Sequence, residues 1–238
     1  RCKFNKKFGC KLAQVEELLN IVRTLKLDVI GFSFHVGSGC SSAETFYDAI
    51  YECRKACDIA ERVGIDVKTI DIGGGFPGVD KNIKFEDIAR RINDGVTEFF
   101  AEKTGIQFIA EPGRYFAEAS HTLVLNVIGK KNIIDEETGE KIIVYYLNDG
   151  IYGSFGCIYF DHNTPVVLPF NERNNELHKS RLFGPTCDSI DLISNDIMLP
   201  ELAVGEWVYV ENFGAYTVAS SSNFNGFKTN VFKYIFRS

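Results

Sequence analysis

Residues 67–78 read VKTIDIGGGFPG. A strand-like run from Val67 to Ile72 stops on three successive glycines, so a strand ends in a loop whose backbone has no Cβ in the way. The same rhythm recurs on both sides of it. Upstream, Val29 to His35 (VIGFSFH) is rich in β-branched and aromatic residues, and CSSAETF follows with Ser41 and Glu44 spaced as a capping box. The next helix places Phe46, Ala49, Ile50, Cys53, Cys57, Ala60 and Val63 on one face and stops at Gly64, which makes Cys53 and Cys57 core residues. Downstream, Phe85, Ile88, Ala89, Ile92, Val96 and Phe99 mark another amphipathic helix, and Gln107 to Ala110 form a third strand that runs into EPGRY. Nearer the start, Cys2 to Phe8 reads as one more strand, followed by a helix with Leu12, Val15, Leu18, Leu19, Val22 and Leu25 inward. Strands recurring in this way between helices imply β/α units and a parallel sheet.

After Ala119 the helical period disappears. HTLVLNVIGKKNIIDEETGEKIIVYYLNDG reads as two strands around a polar Glu-Thr-Gly turn, and GEWVYVENFGAYTVAS and FKTNVFKYIF read as further strands. The expected organisation is therefore a β/α part over residues 1–118 and an all-β part, sandwich- or barrel-like, over residues 119–238. About 115 residues of β/α units is half of an eight-stranded (β/α)8 barrel, which takes about 250, so the first part is expected to be the later strands of such a barrel. Residue 1 is Arg, and the chain is expected to begin inside a longer polypeptide.

The composition narrows the function. With 238 residues and 45% apolar content the chain can bury a sizeable core. A net charge of -6, with no block of like charges, argues against a nucleic-acid surface. No run approaches the roughly 18 apolar residues of a membrane span, so neither a membrane nor a nucleic acid is expected as a partner. Seven cysteines at irregular spacing read as reduced thiols, which points to the cytoplasm.

In parallel β/α architecture, functional groups gather at the carboxyl ends of the strands. The three strands end in HVGSG (35–39), DIGGGFPG (71–78) and EPGRY (111–115). Taken singly, a glycine triplet is a tight turn and a His after a strand is a satisfied polar residue. Together they offer a phosphate nest from Gly73, Gly74, Gly75 and Ser38, a cation at Arg114, an imidazole face at His35 and a carboxylate at Glu111. A phosphorylated cofactor with a basic ring nitrogen uses all of these groups, because a carboxylate beside that nitrogen keeps it protonated and makes the ring an electron sink. That chemistry is pyridoxal phosphate's. No metal is called for.

The stretches VIGFSFHVGSGC, DIGGGFPG, AEPGRYF, NDGIYGSFGCIYFDH, FGPTCDSID and ENFGAYTVASSSNFNGF, in this order over essentially the whole chain, resemble the eukaryotic ornithine decarboxylase family of β/α-barrel pyridoxal phosphate decarboxylases. The resemblance implies a barrel joined to a β domain, a head-to-tail homodimer with active sites shared by both subunits, and L-ornithine as substrate. It implies that His35 stacks on the pyridine ring, that Glu111 pairs with its nitrogen, and that Ser38, Gly73, Gly74, Gly75 and Arg114 hold the phosphate, with Gly113 also at the cofactor and Tyr216 reaching the phosphate from the second domain. Asp161 and Asp188 would receive the distal ammonium, and Tyr152 and Phe224 would line the pocket. Cys187 would protonate the carbanion at Cα after carbon dioxide leaves, so proton donor and specificity determinant share one turn.

The family's Schiff-base lysine lies in an early barrel strand, and no lysine here sits in that motif; Lys7 of NKKFG aligns with a different one. The chain is therefore expected to lack that lysine. Arginine, lysine and diaminopimelate decarboxylases are the nearest alternatives. A further alternative is a catalytically inactive, antizyme-inhibitor-like homologue, and an antizyme-like regulator is a candidate partner of either.

Overall fold

The computed structural model describes residues 7–136, 138–171, 176–228 and 232–235. The chain divides into two compact units, Arg1–Glu118 and Ala119–Ser238. The strand expected at Cys2 to Phe8 lies largely outside the described residues, as does part of the one expected in FKTNVFKYIF, whose described residues carry no strand.

In the first unit, β1 (Gly31–Ser33), β2 (Thr69–Asp71) and β3 (Gln107–Ile109) form a parallel sheet in the order β1-β2-β3, with Phe32 opposite Ile70 and Ile70 opposite Phe108. Between them run α1 (Val15–Thr24), ahead of β1, then α2 (Glu44–Arg62) and α3 (Phe85–Phe100); the short α4 (Gly113–Ala117) follows β3. The strands are shorter than their sequence runs because the chain turns into the functional loops as soon as the ladder ends. Gly31 is required in β1, since a Cβ there would stand 1.9 Å from the Thr69 carbonyl oxygen. Ile70 is fully buried at the centre of the sheet, in one cluster with Phe46, Ile50, Cys53 and Cys57 of α2 and Ile88 of α3. Burial pushes the Cys53 thiol up to about 12 and the Cys57 thiol to about 11, which makes both poor nucleophiles.

Two local expectations fail. The Ser41/Glu44 capping box does not form: the residue preceding α2 is Ala43, without a side-chain cap, and the Glu44 carboxylate instead takes a bidentate pair of bonds from Arg91 of α3 at 2.7 and 2.8 Å. In α1 only Val15 and Leu19 are buried, whereas Leu18 and Leu25 face outward, because that helix packs against the Ala56 and Ala60 face of α2 along a narrow stripe.

The second unit is a six-stranded mixed sheet among the described residues. It comprises β4 (Leu123–Ile134), β5 (Lys141–Leu147), β6 (Leu168–Pro169), β7 (Leu177–Phe183), β8 (Leu192–Pro200) and β9 (Trp207–Val210) in the order β6-β9-β4-β5-β7-β8. The long β4 pairs with β9 through its first residues and with β5 through the rest, changing register between Val127 and Gly129. Gly129 fits that bulge, since a Cβ there would press on the Tyr146 ring at 3.2 Å. The core gathers alternate residues of these strands, among them Leu125, Val127, Ile143, Tyr145, Leu182 and Val208. A short helix, α5 (Cys157–Phe160), interrupts the β pattern, and GEWVYVENFGAYTVAS continues after β9 as a loop with one 3-10 turn. The six described cysteines are free, and no described helix is long and apolar enough to cross a membrane.

Candidate active site

The first unit brings its three strand-end loops into one cluster. The Glu111 N–H donates to Gly73 O at 2.7 Å and the Cys40 N–H to Gly75 O at 2.9 Å, so the glycine loop is stitched to both neighbours. Gly73 and Gly75 have φ of 64° and 107°, open to glycine and strained for other residues. A Cβ on Gly74 would stand 2.7 Å from the Glu111 carbonyl oxygen and 2.8 Å from His35 Nε2. The imidazole therefore lies directly against the glycine backbone. His35 Nδ1 accepts the Gly37 N–H at 2.9 Å, which places a neutral ring's proton on Nε2.

Arg114 is the second residue of α4 and is only 8% exposed. Its Nε–H donates to Ser38 Oγ at 3.0 Å and its guanidinium pairs with Glu118 at 3.3 Å, while the other Glu118 oxygen accepts the Gly78 N–H at 2.9 Å. One detail of the expected nest changes. The Gly73 N–H is committed to Asp71 Oδ1 at 2.8 Å and the Gly113 N–H to Glu111 O at 2.8 Å, so neither is available to an anion. Gly74 and Gly75 N–H have no protein partner among the described residues. The carboxylate of Glu111 is carried by an exposed residue whose backbone is held on both sides.

The second unit assembles a different cluster. Tyr152 stacks on Phe224 with ring centroids 4.3 Å apart, and its hydroxyl donates to Asp188 Oδ2 at 2.5 Å. Asp188 Oδ1 accepts the Ile190 N–H at 3.1 Å. The Tyr152 bond, then the Ile190 bond, hold the Asp188 carboxyl below the usual carboxylate range, and the same contact pushes the Tyr152 phenol up to about 12. Cys187 is exposed, and its Sγ lies 3.2 Å from Asn225 Oδ1, which also accepts the Cys187 N–H at 3.3 Å.

Beneath these groups sit two carboxyls that the sequence reading passed over. Asp149 accepts from the N–H groups of Gly150 and Ser154 at 2.7 and 3.0 Å and from the Ser154 hydroxyl at 2.5 Å; burial nonetheless raises its carboxyl above the usual range. Asp191 is 1% exposed and accepts from Ile151 and Thr186. A small cleft beside them is lined by residues that include Asp149, Tyr152, Thr186, Asp191 and Phe224. Asn225 was missed as well; only its place in NFNG beside Phe224 hints at it.

Thus Cys187, Asp188, Tyr152 and Phe224 come together, as do His35, Ser38, the glycine loop, Glu111 and Arg114. Asp161 and Tyr216, like Cys187 and Asp188, are not among the residues that line the cleft. Asp161 ends α5, its N–H on Cys157 O at 3.0 Å. Tyr216, half exposed in the loop after β9, has a φ of 57°, a conformation that a bulky side chain adopts only where its neighbours fix it. Those neighbours, Ala215 and Thr217, are buried, and the Thr217 hydroxyl is tied to Phe213 O at 3.2 Å.

A parallel β/α unit that gathers open backbone N–H groups, a hydroxyl, a buried guanidinium and an imidazole at its strand ends has the chemistry that suits a small phosphorylated ring compound. Residues 1–118 match the family model described as pyridoxal-dependent decarboxylase, pyridoxal binding domain. The chain belongs to the pyridoxal-dependent decarboxylases, and pyridoxal phosphate is its cofactor.

It is 45% identical over 237 residues to antizyme inhibitor 2 of Xenopus laevis and 43% identical over 249 residues to ornithine decarboxylase of Rattus norvegicus, with 96% and 100% of this chain covered. The chain spans about half the length of these curated relatives, 52% and 54%. Among solved structures, the Paramecium bursaria Chlorella virus arginine decarboxylase matches with a TM-score of 0.84 at 35% identity, over 95% of this chain and 60% of that one. A lysine/ornithine decarboxylase from Vibrio vulnificus complexed with putrescine matches with a TM-score of 0.82 at 35% identity, over 96% and 61%.

Proposed function

We propose that the protein decarboxylates L-ornithine to putrescine and carbon dioxide, as a lyase of polyamine synthesis. In this reading the first unit is the later part of a (β/α)8 barrel, and the protein acts as a cytoplasmic homodimer whose sites draw on both subunits. The observation that carries it is the Cys187-Asp188 turn, where a thiol and a carboxylate sit on adjacent residues and each has its own polar partner, Asn225 and Tyr152.

The residues present fit the cofactor, because the contacts around Gly74 leave a cradle that a Cβ would fill and the Gly74 and Gly75 N–H groups point to no protein acceptor among the described residues. These two groups, the Ser38 hydroxyl and Arg114 would hold the phosphate, with Tyr216 as a further donor. Ser38 accepts from Arg114 and so keeps its own proton to donate. His35, fixed by its Nδ1 bond, would stack on the ring, and Glu111 would pair with the ring nitrogen. Pyridoxal phosphate supplies the electron sink for the charge left at Cα when carbon dioxide departs.

Cys187 Sγ then delivers a proton to Cα, and Asn225 Oδ1 steers the S–H until it is needed. Asp188, with Asp161 as second carboxylate, receives the distal ammonium, since a desolvated cation requires an anionic partner. Tyr152 and Phe224 shape the wall around the substrate's methylene chain.

The test is a substrate panel on the full-length protein with pyridoxal phosphate. Because one methylene changes discrimination by about 10-fold or more, kcat/KM for ornithine should exceed that for lysine by that factor, and that for arginine further. Preference for lysine or arginine would reassign the substrate. Turnover of none of them by a folded, cofactor-loaded protein would favour an antizyme-inhibitor-like relative.

A further inference from the structure

The loop that carries Tyr152 follows β5, and the turn that carries Cys187 and Asp188 follows β7. These two strands are parallel neighbours, with Tyr145 opposite Leu182 and Tyr146 opposite Phe183, so both loops leave the same end of the sheet. Between the loops lies Asp191. Its Oδ1 accepts the Ile151 N–H at 2.8 Å from the first loop; its Oδ2 accepts the Thr186 N–H at 3.0 Å and the Thr186 hydroxyl at 2.7 Å from the second. Its own N–H donates to Asp188 O at 3.1 Å, and its carbonyl takes the Gly184 N–H at 2.8 Å. The fit allows no side chain beside it: a Cβ on Gly150 or Gly184 would stand 2.1 or 2.3 Å from Asp191 Oδ1. A carboxyl with 1% exposure, which touches none of Cys187 Sγ, the Tyr152 hydroxyl or the Asp188 carboxylate in the described bonds, has no part in the chemistry assigned above.

We propose that Asp191 is a positioning residue: it clasps the two loops together and so fixes the acid at Cys187 and the anchor at Asp188 against Tyr152. This deepens the decarboxylase reading and rests on it. The mechanical reason is the Tyr152 to Asp188 bond, which spans the same two loops and survives only while they keep their spacing. Groups that act by placement lose about 100-fold when displaced by about 1 Å, so a clasp behind them matters to rate as well as to fold.

The test uses the full-length protein and the variants Asp191→Asn and Thr186→Val. Asparagine turns one acceptor oxygen into an N–H donor that faces another donor, whereas valine removes one hydroxyl and keeps the shape. Amide hydrogen exchange is read without cofactor over 149–156 and 184–191, with β4 and β9 as internal controls. Expected are faster exchange in both loops for Asp191→Asn, an intermediate change for Thr186→Val, and slow exchange retained in the controls. With pyridoxal phosphate and ornithine, Asp191→Asn should lower kcat and raise KM, with kcat/KM down about 100-fold, while affinity for pyridoxal phosphate stays within about twofold. Unchanged exchange in the loops would overturn the clasp. Faster exchange with unchanged kcat and KM would overturn its positioning role. If the parent protein releases no carbon dioxide, the decarboxylase reading fails and the positioning role falls with it, while the exchange data still decide whether the clasp exists.

Discussion

The two units build their clusters of functional side chains by opposite means. In the first, the shape comes from backbone: Gly73 and Gly75 take φ values that suit glycine, Gly74 leaves room for His35, and the loops are stitched by main-chain bonds. In the second, the shape comes from side chains that reach across the fold, as Tyr152 does to Asp188 and Asp191 to Ile151. A backbone-built site is written in local residue order, whereas a site built from side chains depends on which distant segments the sheet brings together. The first should therefore break when a side chain is added, and the second when one is removed.

The largest expected effect tests the side-chain half. Cys187→Ala removes the acid, and kcat should fall by about 100-fold or more, with KM for ornithine little changed. A kcat within twofold of the parent would remove Cys187 from the mechanism. Next, in the backbone half, Gly74→Ala drives a Cβ into Glu111 O and His35 Nε2, and affinity for pyridoxal phosphate, followed by its absorbance, should fall about 10- to 100-fold. Undiminished affinity would show that the loop is not the cradle. A smaller change is expected from Asp161→Ala, which should raise KM for ornithine by about 10-fold and leave kcat close to the parent; an unmoved KM would leave Asp188 as the sole anchor.

The smallest effect is on stability. Burial raises the Asp149 carboxyl, so the folded chain keeps a proton that the unfolded chain has already released. Its contribution is full below the unfolded pKa and is lost as pH rises through the folded one. Asp149→Asn should flatten the fall in stability across that window, measured by denaturant unfolding from pH 4 to 7; a slope equal to the parent's would remove Asp149 as its source.

How far each half could be read in advance follows from the same contrast. The glycine triplet, HVGSG and EPGRY announce three strand ends because each is a short stretch with few alternative meanings, and the alternation of strands and helices puts them on one edge. The committed N–H groups of Gly73 and Gly113 were not legible, since they depend on Asp71 folding back and on the start of α4. The capping box failed for a similar reason: Arg91, far along the chain, outcompetes the local cap for Glu44. In the second unit β4, β5 and β9 were read from β-branched runs, but β7 and β8 were not, because Lys179, Arg181, Asn195 and Asp196 interrupt the alternation. The role of Asp191 is not legible in TCDSID, as nothing near it in the chain says that Ile151 is its partner.

The most direct test of the proposed decarboxylation is carbon dioxide release from carboxyl-labelled L-ornithine, with putrescine quantified alongside, by the full-length protein with and without pyridoxal phosphate. Expected are release that depends on the cofactor and one putrescine for each carbon dioxide. A folded protein that binds pyridoxal phosphate and yet releases none from ornithine would contradict it.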